Sequence, residues 1–198
     1  MIEHRDYTGA KLGMWLFLFT EILLFGGLFL VYSVYRSMYP ADFHAAAAEL
    51  SVLIGTVNTV ILLTSSLTMA LAISAVQRGG RRLSLALQAA TIGMGLLFLV
   101  NKYFEWSAKF HHDIFPGSET LLQREHGQIL FYGLYYAMTG LHGLHVVAGL
   151  IIIGIMLAGT AKGRINAGDN VRLENAGLYW HLVDLIWIYL FPLFYLIT

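Results

Sequence analysis

Five long stretches of apolar residues constrain this chain of 198 residues more than any other feature. Each stretch is longer than the roughly 20 residues that an α-helix needs to cross the hydrocarbon core of a bilayer. Backbone polar groups in lipid must be hydrogen-bonded within the protein, and the stretches lack the alternation of polar and apolar residues that barrel strands show. The sequence therefore predicts an all-α integral membrane protein with five spans, over about residues 12–36, 50–77, 84–108, 127–159 and 172–197.

The composition favours a single membrane domain over residues 1–198. Only 12% of the residues are charged and 58% are hydrophobic, whereas a soluble domain has about 25% charged residues. The formal net charge is zero, so nothing indicates that the chain binds nucleic acid. The chain has no cysteine, which excludes disulfides, iron–sulfur clusters, cysteine-bound copper and c-type haem attachment.

The distribution of lysine and arginine predicts the orientation, because cytoplasmic loops carry an excess of these residues. With five spans, the N-terminus and the second and fourth connections lie on one side of the membrane. We therefore expect a cytoplasmic N-terminus and an outer C-terminus. The cytoplasmic side has eight cations and the outer side three: Arg5, Lys11, Arg78, Arg81, Arg82, Lys162, Arg164 and Arg172 against Arg36, Lys109 and Arg124.

Glu21 is an acid within the apolar segment WLFLFTEILLFGG, with no basic residue close in sequence. A charged group costs roughly 2.5–3.5 kcal/mol at the centre of a membrane helix, so such a residue needs a partner or a function. The carboxyl group is expected to be protonated or bonded to a neighbouring helix. Two interpretations stay open: structural support, and a site that exchanges protons or contacts a partner subunit.

Other polar residues interrupt the second and third spans. Lys102 and Glu105 are three residues apart on one helix face, a spacing that predicts an ion pair. They lie near the outer end of the span, where a lysine side chain can extend towards water, so we interpret Lys102 as part of an anchoring pair. Asn58 lies among hydroxyl residues that are typical of helix packing.

Two pairs of residues in the last two spans suggest either a metal site or a hydrogen-bonded core. His142 and His145 share one helix face, and His181 is followed by Asp184. Histidine is the commonest metal ligand, and a histidine supported by a carboxylate would complete such a site. Histidines that hydrogen-bond between packed helices need no metal, however. The spacing alone leaves both interpretations open.

Four tryptophans are interpreted as contacts with lipid or with the membrane interface, where indole rings are enriched. They are Trp15, Trp106, Trp180 and Trp187.

Five sequence blocks together resemble a known family. They are WLFLFTEILLFGGLF around Glu21, NTVILLTSSLTMALA from Asn58, KYFEW around Glu105, TGLHGLHVVAG around His142 and His145, and YWHLVDLIWIYLFPLFY around His181 and Asp184. In this order they resemble subunit III of the haem–copper terminal oxidases, in the five-span form that is common in bacteria. The resemblance extends over nearly the whole chain.

The resemblance implies a helical companion of the catalytic subunit that itself binds no haem, copper or other metal. Its five helices would form two bundles separated by a V-shaped cleft that holds phospholipid. Its partners would be oxidase subunits I and II, which hold the haems and copper, and the complex can join a respiratory supercomplex. Glu21 would face subunit I near the entry of a proton-uptake path. The buried polar core would comprise Asn58, Glu105, His142, His145, His181 and Asp184.

The expected function is therefore that of a non-catalytic accessory subunit in the bacterial inner membrane. The complex would reduce oxygen to water, move protons outward and take electrons from cytochrome c or quinol. A subunit III-like partner of a nitric oxide reductase, which shares the fold, is one alternative. A stand-alone membrane protein that binds haem b through these histidines is another, from a different class.

Overall fold

The computed structural model describes residues 7–197, which form seven α-helices. Five of them are long and apolar enough to cross a membrane. The predicted all-α fold with five spans is therefore confirmed. The helices are α1 (Tyr7–Met38), α2 (Pro40–Ala47), α3 (Val52–Gln77), α4 (Arg81–His111), α5 (Glu119–Leu122), α6 (His126–Ala161) and α7 (Val171–Tyr195), of which α2 and α5 are the two short ones.

Several helix ends differ from the predicted spans. The first helix begins at Tyr7 rather than near residue 12. The second span is predicted from about residue 50, but α3 begins at Val52, and the short helix before it, α2, ends at Ala47. Ser51 starts α3, because its hydroxyl group accepts a hydrogen bond from the Ile54 backbone N–H at 3.4 Å. Arg5, one of the expected cytoplasmic cations, lies outside the described residues.

Four long helices form the body of the molecule. Helix α3 packs against α4 and α7, and α6 also packs against α4 and α7, so these four close a bundle. Helix α1 lies outside this ring and contacts α6 and α7 along one side. A division into two bundles with a V-shaped cleft is a detail that these contacts do not show.

Glycines on α4 and α6 allow α7 to approach closely. A Cβ atom at Gly149 would lie 2.7 Å from the Trp180 ring, and one at Gly95 would lie 2.9 Å from the same ring. Small residues at such positions let membrane helices pack backbone to side chain. The Trp180 indole N–H then reaches across to α3 and donates to Ser65 at 3.0 Å.

This packing corrects the interpretation of two tryptophans. Trp180 and Trp187 are only 1% and 0% exposed, so they face the bundle interior and not the membrane interface. The reason is that α7 has protein on three sides, and the buried indole groups find partners there: Trp187 donates to Thr59 at 3.0 Å. Trp15 is 60% exposed, and Trp106 is partly buried against Tyr136.

Candidate functional site

Glu21 has a partner that is far away in sequence. Its Oε2 atom lies 2.9 Å from Nε2 of His145 on α6, and the two side chains are 13% and 14% exposed. Phe25 packs edge-on against the imidazole ring at 5.3 Å. Glu21 is about 21 Å from the start of α1 at 1.5 Å per residue, so the pair lies deep within the membrane region. The pair joins α1 to the bundle.

The hydrogen bonds of His145 restrict where its protons can be. Nδ1 lies 2.8 Å from the Leu141 carbonyl oxygen, which can only accept, so Nδ1 carries a proton. If His145 is neutral, its Nε2 atom carries no proton and can only accept a hydrogen bond, which a protonated Glu21 carboxyl group would donate. If His145 is charged, Glu21 is a carboxylate. In both arrangements one proton lies between Nε2 and Oε2, and this hydrogen bond joins α1 to α6.

Lys102 and Glu105 form the centre of a second cluster, inside the bundle. Lys102 donates to Glu105 at 3.1 Å, to the Tyr135 hydroxyl at 3.1 Å and to the Tyr195 hydroxyl at 2.8 Å. Both tyrosines donate to Glu105 Oε1, at 2.6 and 2.5 Å. The cluster joins α4, α6 and α7, and all three protons of the ammonium group have an acceptor.

The expectation that Lys102 extends towards water is therefore wrong. Lys102 is buried, and its ammonium group also lies about 5 Å from the ring of Trp187. The predicted pairing with Glu105 is present, but the two tyrosine hydroxyls and the aromatic rings replace water around the charge. An ion pair that is solvated in this way by protein can remain inside the bundle.

His181 and Asp184 lie at the seam between α7 and α3. Nδ1 of His181 is 2.6 Å from the hydroxyl oxygen of Ser66, which also interacts with the Asp184 carboxyl group. Asp184 is buried, whereas His181 is only partly buried. This seam is separate from the Glu21–His145 pair, which lies between α6 and α1.

His142 and Asn58 are fully buried. The His142 ring lies between Phe98, at 5.6 Å, and Trp187, at 5.3 Å, and neither of its nitrogens has a hydrogen-bond partner within residues 7–197. Asn58 accepts from the Asn101 amide group at 2.9 Å.

The four residues that suggested a metal site do not converge. His142 faces the core, His145 faces Glu21, and His181 and Asp184 face Ser66. In the part of the chain that the structure describes, no three histidine, aspartate or glutamate side chains come together as a set of metal ligands. His142 and His145 both contact rings of α7, Trp187 and Tyr179, but His142 also contacts α4 whereas His145 also contacts α1.

Sequence reasoning missed the tyrosines of the Lys102 cluster and a third polar site. At one end of the bundle, Glu49 accepts from Arg124 and from the Tyr132 hydroxyl, each at 2.7 Å. Burial raises the pKa of the Glu49 carboxyl group, but these hydrogen bonds outweigh burial, and the net pKa lies below its usual value. Tyrosines are so common in membrane helices that no sequence pattern distinguished Tyr132, Tyr135 and Tyr195.

Comparison with known proteins identifies relatives along the whole chain. The family model described as cytochrome c oxidase subunit III matches residues 4–198. Cytochrome c oxidase subunit 3 of Thermostichus vulcanus is 34% identical over 197 residues, which cover 99% of this chain and 90% of that protein. Cytochrome bo(3) ubiquinol oxidase subunit 3 of Pseudomonas aeruginosa is 30% identical over 203 residues, covering 98% and 88%. The heme-copper oxidase subunit I+III of Aeropyrum pernix is 28% identical over 99% of this chain and 24% of that protein.

The fold and the site together define a class. The chain is a multi-pass helical membrane protein with two intramembrane ion pairs among the described residues, Lys102–Glu105 within α4 and Glu21–His145 between α1 and α6. The family match makes this class specific. The chain belongs to the cytochrome c oxidase subunit III family, as the sequence blocks predicted.

Proposed function

We propose that this chain is the accessory subunit III of a respiratory haem–copper oxidase. The observation that carries the proposal is the family match over residues 4–198. The paired polar groups agree with a structural role, because Lys102 has a hydrogen-bond partner in Glu105 and Glu21 has one in His145. Electron transfer and oxygen reduction would belong to partner subunits that hold haem and copper.

The relatives support a partnership with subunit I. The Aeropyrum pernix relative is named as a fusion of subunits I and III, so in that protein the two are parts of one chain. Here we propose a hetero-oligomer with subunits I and II in the bacterial inner membrane, with the N-terminus in the cytoplasm and all residues in one membrane domain. Bound phospholipid, a cleft that holds it and membership of a supercomplex belong to the same proposal. An apolar groove of about 330 Å³ between α4 and α6 is a candidate for an acyl chain.

Glu21 is proposed to support proton uptake by subunit I. The Glu21–His145 pair lies at the edge of the bundle, on the helix that is least covered by this chain. A proton that lies between a carboxyl oxygen and an imidazole nitrogen 2.9 Å apart can move from one to the other in response to the charge of a neighbouring subunit.

Two variants of Glu21 separate the protonic role from packing. In Glu21→Gln the amide group can still donate to His145 Nε2 but cannot release a proton, whereas Glu21→Ala loses both functions. We expect Glu21→Gln to assemble normally and to show lower turnover and faster inactivation, most of all at alkaline pH, in the purified oxidase. If Glu21→Gln matches wild type while Glu21→Ala loses stability, the residue has a packing role only.

Purification of the native assembly tests the function itself. The expected result is co-purification with a chain of subunit I size, with haem bound to that chain. A pyridine haemochrome spectrum of this chain alone should show no haem. One haem per isolated chain would instead support a haem-b membrane protein, and co-purification with a nitric oxide reductase would replace the oxidase.

A further inference from the structure

The polar residues at the α3–α7 seam leave one hydrogen-bonding atom at the surface of the bundle. Ser66 binds Nδ1 of His181 and so fixes the orientation of the ring. His181 is partly exposed, and no residue within 7–197 forms a hydrogen bond with its Nε2 atom. One ring nitrogen therefore points away from the protein interior without a partner from this chain.

This nitrogen lies deep in the membrane region, as its distances from the ends of α3 and α7 show. His181 is about 15 Å from the start of α7, and Ser66 is about 17 Å from the end of α3. A hydrocarbon core is about 30 Å thick, so both distances place the seam near its middle. Phospholipid headgroups lie at the interface, and acyl chains offer no hydrogen bond. Lipid alone therefore leaves Nε2 unsatisfied.

His181 belongs to an exposed stripe of α7, which we call the α7 outer face: Leu178, His181, Leu185, Ile188 and Pro192. These residues recur at helical spacing and are partly or largely exposed. Helix α3 borders this face on one side, where Ser66 contacts His181, and α1 borders it on the other side, where Leu185 lines a groove between α1 and α7.

We infer that a transmembrane helix of a partner subunit lies along the α7 outer face and places a hydrogen-bonding side chain against His181 Nε2. This inference rests on the oxidase assembly proposed above and names one of its contact surfaces. Intramembrane ionisable residues almost always face protein or a water-filled cavity, and polar side chains hydrogen-bond across helices. A helix also brings apolar side chains to cover Leu185 and Ile188, which a water-filled channel does not.

A neighbouring hydroxyl shows that not every polar residue on this surface needs such a partner. Thr64 is exposed on α3, two residues before Ser66, but it donates to the carbonyl group of Val60 in its own helix at 2.7 Å. Its hydrogen-bonding capacity is used locally. His181 differs because an imidazole has two nitrogens on opposite sides of the ring, and only one of them reaches Ser66.

The absence of cysteine from the chain allows a direct test. Two single cysteine variants are compared: Leu185→Cys on the α7 outer face, and Leu144→Cys on the exposed surface of α6. In this chain alone both leucines are exposed, Leu185 to 48% and Leu144 to 65%. Each variant is spin-labelled in the native assembly within membranes, with the unsubstituted assembly as background. We expect the label at position 185 to be immobilised and several-fold less accessible to oxygen than the label at 144. Position 185 should become accessible when this chain is expressed without its partners.

The other outcomes overturn the inference. Equal accessibility at positions 185 and 144 would mean that lipid covers the α7 outer face. Protection that disappears on lipid extraction, with all subunits still bound, would identify a lipid-soluble molecule as the occupant. Failure of the proposed function looks different, because no oxidase core would then co-purify with the wild-type chain.

A second pair of variants tests the hydrogen bond itself. We expect His181→Phe to reduce several-fold the fraction of this chain that stays with the assembly in detergent, and Thr64→Val to leave it unchanged. The helical content of both isolated chains should match wild type. Equal retention of the two variants would remove His181 from the contact, even if position 185 is covered.

Discussion

Helices α1 and α7 are both long and apolar, but they have different surroundings. In the most apolar stretch of α7, 50% of the residues are buried, against 11% in α1. Helix α7 packs against α3, α6 and α1, whereas α1 lies along one side of the bundle. Hydropathy identifies a span because it measures transfer into an apolar phase. It does not distinguish lipid from protein as the neighbour, since both are apolar.

The two helices are consequently held by different interactions. Helix α7 buries aromatic rings against glycines of α4 and α6. Helix α1 is attached to the bundle by polar contacts at three depths: Lys11 with Glu174 at 2.8 Å, Glu21 with His145 at 2.9 Å, and the Tyr32 hydroxyl with the Leu193 carbonyl group. Since lipid competes equally well for apolar side chains, these polar contacts set the position of α1. Changes in the core should therefore unfold the bundle, and changes at the edge should act locally.

The largest effect is expected at the Lys102 cluster, which ties α7 to α4 and α6. Glu105→Leu leaves the buried Lys102 charge without its counter-ion, and breaking a buried pair in this way costs about 3–5 kcal/mol. The free energy of unfolding in detergent, followed by circular dichroism during chemical denaturation, measures the loss.

The double variant Lys102→Met with Glu105→Leu is the matched control. It removes both charges and keeps the volume apolar, so most of the stability should return. If the single and double variants are equally destabilised, the loss in free energy of unfolding comes from side-chain shape and not from charge. The bundle core would then not differ from α1 in its dependence on polar contacts.

A smaller effect is expected where α6 and α7 approach. Gly149→Ala places a methyl group 2.7 Å from the buried Trp180 ring, which has no room to move, and overpacking of this kind costs about 1–3 kcal/mol. Gly154→Ala lies on the same helix and meets nothing within 4 Å, so its stability should stay within about 0.5 kcal/mol of wild type. Equal values for the two variants would show that the close approach at Gly149 is not tight.

The sequence predicted which residues need partners better than it predicted the partners. The cost of burying a charge acts at each position of the chain, so Glu21, Glu105 and the histidines were identifiable as buried polar groups without a structure. The partner of Glu21 is 124 residues away, and nothing local specifies which of two histidines on α6 faces α1.

The same limit explains the errors at Lys102 and at the two buried tryptophans. A lysine near a helix end, or an indole near an apolar run, has the same sequence pattern whether it faces the interface or the interior. The packing of α7 against α3 and α6 decides between them, and that packing depends on contacts between distant segments. The family resemblance supplied the fold and the class of function, because ordered blocks along the whole chain carry information that single residues do not.

The smallest effect is expected at the edge, where Glu49 joins the segment after α2 to Arg124 and α6. The Arg124 and Glu49 side chains are 24% and 40% exposed, so the pair contributes at most about 1 kcal/mol. Because the pKa of Glu49 is lower in the folded protein than its ordinary value, the pair stabilises the fold above that ordinary value, and the stabilisation disappears as the pH falls through the folded pKa. Arg124→Ala should therefore lower the thermal midpoint near pH 7, and the gap to wild type should close as the pH falls through the lowered pKa of Glu49. Glu49→Gln should show the same closing gap, and the double variant should lose less than the sum of the two. If the difference in thermal midpoint between Arg124→Ala and wild type does not depend on pH, Arg124 acts through packing. The edge of the bundle would then be stabilised in the same way as its apolar core.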